Sequence, residues 1–543
     1  MRIHLYIIIG ILIGSALFGS VAYSQHQFLK NYQLDKTESP SSSLPPSNSI
    51  SQISTTDSII WIGTSDGLAK SSEGGRSWIS YQGNPKFAND GIYALAVDGR
   101  RIWISTGFTQ KTKEGGVPTG TGYTYSNDNG ETWQHVDQTL DNKDSSIISY
   151  GINDSIWILP IVVPEQNVTY DISLSTELHS DSVTSGTVWI ASWASGLRKS
   201  TDNGAHWQRK LLPLDQMNTL KLTDTLWTYA ASDTAKRHKI FPRFDPRGDA
   251  TNHSNNLKAF SVCAVDSDTI WCGTAGGVNK STDAGWSWTK LTHQNQEEPI
   301  LGNWVITIKE QRFQSKQRIW TTNWKSEDPD EDNGVSYTED GGRTWKNLLR
   351  GIKAYDFAFK DSIVYIGTDD GLYRTQDGGL SFMILKQFMN QTTRQFISSS
   401  SVYSIGVIDD TVFVGTDKGI ASTIDDSFHP FGLPWYIYRT YSISAFPNPF
   451  SVSNDGEVNI RYGEFIANPQ NITQRIVTIE IFDFGMSRVR TLIRNATRTT
   501  VEDPVECWDG LGDNGKVVAA GVYFYRVKVD DNEPIFGKIL VLP

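Results

Sequence analysis

The sequence predicts an all-β chain: a seven-bladed β-propeller followed by a small Ig-like β-sandwich. A two-part segment recurs seven times between residues 50 and 436, and self-similarity on this scale marks a repeat architecture. The 543 residues include 46 Gly, 18 Trp and 5 Met, a balance suited to many short strands and tight turns. From about Tyr441 the repeat gives way to short alternating strands set apart by turn signals. With a net charge of −11 and 38% hydrophobic residues, the composition excludes a multispanning membrane protein and a fully disordered chain. It also argues against a nucleic-acid partner, because phosphate contacts need clustered Lys and Arg.

The chain opens with Arg2 and His4, an apolar run from Leu5 to Phe18, and the small-x-small site Ala22-Tyr23-Ser24. Residues 1–24 therefore read as a signal peptide, with an uncleaved anchor as the alternative. The expected location is secreted or on the outer cell surface. Residues 25–49 read as a Ser/Pro-rich linker, since the tract from Lys36 cannot bury enough apolar surface to order itself.

Residues 50–436 carry the repeat. Its first unit, apolar-Trp-apolar-Gly/Ser/Ala-Thr/Ser, appears at Ile60-Trp61, Ile102-Trp103, Val188-Trp189, Ile270-Trp271 and Ile319-Trp320, then with Tyr365 and Phe413 in place of Trp. Gly-Leu, Gly-Val or Gly-Ile often follows, as at Gly67-Leu68 and Gly277-Val278. The second unit is Ser/Thr-x-Asp-x-Gly-x-x-Trp. It supplies Asp128, Gly130 and Trp133; Asp202, Gly204 and Trp207; Asp283, Gly285 and Trp288; and Asp340, Gly342 and Trp345. Glu73 replaces Asp ahead of Trp78, Phe382 replaces Trp after Asp377 and Gly379, and the last copy keeps only Asp425. The chemistry is that of a chain reversal. Asp oxygens accept the turn's free N–H groups, Gly takes positive φ, and Trp folds back under the turn with its large apolar area. These acids read as structural rather than catalytic. The unit resembles the Asp-box (BNR) repeat.

Ahead of the Trp strands lie segments rich in small and apolar residues, such as Ile92–Val97, Phe260–Val265, Val305–Ile308 and Val402–Val407, which suit inner strands around a central axis. Unequal spacing between boxes implies loops of different length on constant blades. The longest intervals hold Ser155–Pro160 and Thr225–Tyr229, which read as added strands, and a polar loop from Lys236 to Asn256. Lys236, Arg237, Lys239, Arg243 and Arg247 would make an anion patch, although a solvated loop is the plainer reading. The acidic loop Glu327–Asn333 lacks the Gly placement of an EF-hand, so no metal site is assigned. Cys263 and Cys272 fall in two strands around Ser267-Asp268, with their sulfurs expected opposite each other as two reduced thiols. Neither zinc spacing nor any cofactor motif is present.

Residues 441–543 open with Phe446-Pro-Asn-Pro-Phe450 and continue as short strands over Glu457–Tyr462, Arg475–Phe482, Val489–Ile493, Val522–Val529 and Phe536–Leu542, the pattern of an antiparallel sandwich. Together with Ile481-Phe-Asp483, Trp508-Asp-Gly510 and Gly521-Val-Tyr-Phe-Tyr525, this segment resembles the FlgD-like Ig fold and the C-terminal sorting domains of type IX secretion. That resemblance implies recognition by outer-membrane secretion machinery; a plain accessory Ig-like module is the alternative. The whole chain resembles exported bacterial proteins that pair an Asp-box propeller with such a domain.

Asp-box proteins include sialidases and xyloglucanases, so glycoside hydrolysis is the alternative function. It needs two carboxylates flanking the bond, and sialidases need three converging Arg. The inner strands legible in the sequence contain no Arg, and Lys309 is their only cation. No Gly-x-Ser-x-Gly elbow or phosphate loop is present. The favoured expectation is a non-catalytic binding scaffold that takes a glycan, a peptide or an envelope protein on its loop face, with no catalytic, cofactor or metal residue assigned.

Overall fold

The computed structural model describes residues 45–56, 58–84, 86–87, 90–113, 115–151, 154–176, 186–224, 243–245, 254–326, 328–390, 396–397, 399–426, 430–431, 434–438, 443–462, 474–499, 505–530 and 534–542. The expected signal peptide, most of the linker, the strand at Thr225–Tyr229 and most of the basic loop lie outside them. The chain is all-β; the one α-helix among the described residues is a single turn, Val452–Asp455.

The chain divides into two compact units after Tyr438. In the first, seven sheets share one plan of four antiparallel strands in sequence order. Their inner strands are Ile50–Thr56, Gly91–Asp98, Thr169–Thr176, Ala259–Ala264, Trp304–Phe313, Ala354–Lys360 and Ser404–Ile408, and we number the sheets 1 to 7 in that order. Each second repeat unit joins the third strand of one sheet to its fourth. Sheet 4 gains a fifth strand, Thr219–Leu220, beyond its box strand. The fourth strand of sheet 7, Tyr436–Tyr438, carries the unit two residues past the expected limit at 436.

The first repeat unit makes the hairpin between the second and third strands. Thr64, Thr274, Thr368 and Thr416 each donate a hydroxyl to the carbonyl of the Gly three residues on, at 2.8, 3.0, 2.8 and 2.9 Å. Each also accepts an amide from inside the turn. The Thr therefore closes the loop on both sides, and the following Gly turns the chain; at Gly67 φ is +116°.

Adjacent inner strands do not pair as strands; side chains lace them together. Ser51 donates to the Ile92 carbonyl at 2.8 Å, and Ser105, from the second strand of sheet 2, donates to that of Thr169 at 2.7 Å. The Val262 amide donates to Asp171 at 2.9 Å, and Ser261 to the Val305 carbonyl at 3.4 Å. Thr307 reaches the Tyr355 carbonyl at 2.7 Å, and the Ile405 amide donates to Asp356 at 3.0 Å. The circuit closes where Thr55 donates to the Val407 carbonyl at 2.9 Å and Ser404 to that of Ile50 at 3.4 Å. The sheets thus form a closed propeller-type ring, which leaves no inner edge free for pairing with another chain.

In the second unit, a three-stranded sheet (Ile443–Phe446, Val458–Tyr462, Val505–Trp508) and a five-stranded sheet share one core containing Phe450, Ile460, Ile479, Trp508 and Tyr525. This is a β-sandwich. One pairing departs from the antiparallel expectation: Phe450–Ser451 lies parallel to Val541–Leu542.

Two further expectations are corrected, and a third is borne out. The end of the linker is bound rather than free, since Ser47 bonds the Ser65 hydroxyl at 2.7 Å and the Ser49 carbonyl accepts from Ser65 N at 3.1 Å. Cys263 pairs with Trp271 and Cys272 with Val262, so the two sulfurs lie on opposite faces of the sheet and both thiols are free. Strand Asp154–Ile158 exists as expected but belongs to a separate sheet with Ile147–Tyr150 and Arg243–Phe244.

Candidate functional site: the mouth and wall of the channel

Strand direction divides the ring into two ends. Inner strands run away from the end that carries the second-to-third-strand hairpins, and third strands run the same way into the box turns. A five-residue strand spans roughly 17 Å, so box carboxylates stand about that far from the hairpin end.

At the box end, Asp128 accepts the Thr132 amide at 2.8 Å and the Ser126 hydroxyl at 2.7 Å. Asp202 accepts from His206 N at 2.9 Å and Asp340 from Thr344 N at 3.0 Å. Asp283 accepts Ser287 N at 2.8 Å, Asp377 accepts Ser381 N at 3.0 Å, and Glu73 takes the Ser77 hydroxyl at 2.8 Å. Desolvation pushes Asp128 and Asp340 upward, but the hydroxyl and amide bonds outweigh it and hold both at about 2. Asp202 is likewise held at about 2, with His206 supplying the amide and ring bonds.

The remaining box residues pack between sheets. A Cβ on Gly130, Gly204, Gly285 or Gly342 would lie 2.6, 3.3, 2.8 or 3.1 Å from Trp61, Trp103, Trp189 or Trp271 of the preceding sheet. On Gly379 it would stand 2.5 Å from Leu348. Trp78, Trp133, Trp288 and Trp345 are buried, while Trp207 and Phe382 are half-buried against neighbouring cores. Asp425 departs from the pattern. It is fully buried, pairs with Arg374 at 2.7 Å in the preceding sheet, and accepts the Phe431 amide at 2.9 Å and the Tyr365 hydroxyl.

The hairpin end holds a feature that the sequence reading missed. Six inner strands carry a bulge at their start, between Ile50 and Gln52, Ile92 and Ala94, Thr169 and Asp171, Ala259 and Ser261, Val305 and Thr307, and Ala354 and Asp356. The residues at the bulges are Ser51, Tyr93, Tyr170, Phe260, Ile306 and Tyr355, and Tyr403 occupies the matching place in sheet 7. Trp304 opens the inner strand of sheet 5, opposite Trp324, and Trp193 follows the second strand of sheet 3. Their rings touch in series. Tyr93 to Tyr170 is 6.2 Å, Tyr170 to Phe260 6.1 Å and Phe260 to Trp304 5.7 Å; Trp193 lies 5.3 Å from Phe260. On the other side, Trp324 to Tyr355 is 5.7 Å and Tyr355 to Tyr403 5.0 Å. Tyr170, Trp193, Trp304, Tyr355 and Tyr403 are only half-buried. A bulge breaks the two-residue alternation of a strand, so periodicity could not flag these positions; a recurring aromatic one residue before a small or polar one was the available signal.

Deeper in the wall are Asp171, Lys309 and Asp356. Lys309 Nζ lies 2.6 Å from Asp356 and donates to the Phe357 carbonyl at 2.9 Å. Asp171 accepts the Ile172 amide at 2.9 Å in addition to that of Val262. Burial, with the Asp356 charge adding, pushes the Asp171 carboxyl up to about 7 although the two amides and Lys309 oppose it. The sequence reading missed both acids because Thr169–Thr176 and Ala354–Lys360 were not recognised as inner strands. The expectation of no inner-strand Arg is also corrected. The strand from Trp304 runs on to Phe313 and includes Arg312, which pairs with Glu310 at 2.6 Å.

In the acidic loop, the buried Glu331 accepts Asn303 N at 3.0 Å, Ser326 N at 2.9 Å and Gln294 Nε2 at 3.0 Å. Its oxygens thus anchor the loop. No group of three metal-ligating side chains occurs among the described residues.

No protein-family model and no curated protein matches this sequence. Among solved structures, it is similar to PorZ, described as a surface component of the type-IX secretion system of Porphyromonas gingivalis, at 12% identity and TM-score 0.39. That match covers 90% of this chain and 65% of PorZ, so the chain spans less than two thirds of that protein. YCF48 from Cyanidioschyzon merolae matches at 14% identity and TM-score 0.40, over 70% of this chain and 96% of its own. An ancestral GH74 enzyme matches at 12% identity and TM-score 0.26, over 92% and 93%. The fold is established by the sheet order and inter-sheet bonds described above.

Proposed function

We propose that the protein is an exported, non-catalytic binding protein whose ligand lies across the aromatic mouth of its ring, with the C-terminal sandwich serving export or surface attachment. The aromatic series from Tyr93 to Trp304 and from Trp324 to Tyr403, in which Tyr170, Trp193, Trp304, Tyr355 and Tyr403 are half-buried, carries this reading. Flat rings at a rigid opening offer stacking area to a glycan or peptide at little entropic cost. The signal-like N-terminus supports export, and the Phe446–Phe450 and Gly521–Tyr525 motifs support the sorting role of the sandwich. Arrayed glycans and peptides test the mouth: Tyr170→Ala together with Trp304→Ala should abolish whatever binding the native protein shows, and retained binding would move the site elsewhere. Deleting residues 441–543 tests sorting, since unchanged surface delivery removes that role.

Asp171 and Asp356 favour hydrolysis as a second reading, because they place two carboxylates in one channel wall. Both already bind amides of the next inner strand, and Asp356 also binds Lys309. Fluorogenic sialosides and glucosides should not turn over. Turnover abolished by Asp171→Asn would replace the binding reading with the enzymatic one.

A further inference from the structure

The rim of the mouth is unevenly charged. Three second-to-third-strand hairpins present Asp66, Asp369 and Asp417, and Asp90 precedes the inner strand of sheet 2. These acids occupy the consecutive sheets 6, 7, 1 and 2. Partial desolvation raises Asp66, Asp90 and Asp369 above their ordinary values while Asp66 and Asp369 stay exposed, so this sector presents negative charge to solvent. It coincides with one end of the aromatic series. Tyr355 and Tyr403 stand 5.0 Å apart, and burial raises both phenols, with Asp369 adding to each and Asp417 to Tyr403. Asp417 Oδ1 is buried and has no hydrogen-bond partner.

Elsewhere on the rim, the rings already hold cations of this chain. Lys258 Nζ lies 5.1 Å over Trp193 and Lys353 Nζ 5.1 Å over Trp324. Asp370, beside Asp369, is neutralised by Lys386 at 2.7 Å. Lys353 also lies near Asp369, whereas Asp417 keeps one buried oxygen without a hydrogen-bond partner. Two electron-rich rings beside a desolvated carboxylate form a receptor for an ammonium or guanidinium group, since ring quadrupole and carboxylate attract the same charge.

We propose that the sector formed by Tyr355, Tyr403, Asp369 and Asp417 receives the side-chain cation of a Lys or Arg in a polypeptide segment lying across the mouth. The proposal rests on the mouth being the ligand site and adds the ligand's charge and class. The charge complementarity of the rim selects a basic residue, and the continuing aromatic series towards Trp324 accommodates the flanking chain.

The test uses the whole protein and acetyl-Gly-Lys-Gly-amide, followed by aromatic fluorescence, against the same peptide with norleucine for Lys. The Lys peptide should bind about tenfold more tightly or better, and less tightly as salt is raised. Asp417→Asn and Tyr403→Ala should each weaken it about tenfold, with Asp268→Asn at the opposite end of the ring leaving it unchanged. Circular dichroism of each variant separates loss of the site from loss of the fold, and Tyr403→Phe, which keeps the ring, should retain binding. Equal affinity for the two peptides, no saturable binding of the Lys peptide, or indifference to Asp417→Asn overturns the proposal. Tetramethylammonium binding as tightly as the peptide overturns the polypeptide class. A neutral glycan that binds the mouth and is lost in Tyr170→Ala with Trp304→Ala, yet ignores Asp417→Asn, overturns this inference and leaves the binding function standing.

Discussion

Gly285 holds φ at +78° with a Trp189 ring atom 2.8 Å from where a Cβ would stand, so Gly285→Ala strains the backbone and displaces an indole at once. A loss of about 1–3 kcal/mol is expected, read from denaturant midpoints at constant slope. Protonation acts at the same scale. Asp128, Asp202 and Asp340 are held at about 2, below their unperturbed value of 3.8, so the unfolded chain takes up protons first as pH falls. Their stabilisation is complete above about pH 4 and is lost on the way down to about pH 2. Asp171 works in the opposite sense: held at about 7, it binds its proton more tightly in the folded state, so its contribution declines as pH rises from about 4 to 7. Thermal midpoints of native protein and Asp171→Asn should run together near pH 4, where both side chains are neutral, and separate towards pH 7 as the native protein becomes the less stable; parallel curves would refute the assignment. The box residues were legible in the sequence because each type answers a local need of one turn. Asp171 was not, and Asp425 was read only as the remnant of a box, since Val262, Arg374 and Tyr365 lie in other sheets.

Hairpins and inner strands differ in how openly the sequence declares them. The Trp-x-Gly-Thr hairpin repeats because Thr and Gly are bonded to each other three residues apart, and a repeat of that length survives any change in the loops around it. Thr274→Val keeps the shape and removes the hydroxyl bond to the Gly277 carbonyl and the acceptor for the Gly276 amide. It should destabilise the protein by about 1–2 kcal/mol in the same denaturant assay. Inner strands repeat poorly because their side chains answer the neighbouring sheet rather than their own. Ser, Thr, Asp and Gln serve equally well to reach the next backbone, as Ser51, Thr307, Asp356 and Gln52 do. The mouth was hidden for a related reason: aromatic residues at bulges fall out of step with the strand around them.

At the scale of the whole molecule, the ring and the sandwich were readable as separate stretches because the motif stops where the first unit ends. Ring closure was not, since it depends on contacts between the first and last sheets. The Thr55 to Val407 bond joins residues 352 positions apart, and the Tyr438 hydroxyl meets the Gly74 carbonyl at 3.4 Å. A chain emerging from a pore with its N-terminus leading presents sheet 1 long before the strand that will flank it has arrived. Until then, the carbonyls of Ile50 and its neighbours stand open to any passing strand. Under the proposed export, safe delivery would depend on how quickly the last sheet follows the first out of the pore, and slow passage should show itself as chains joined edge to edge.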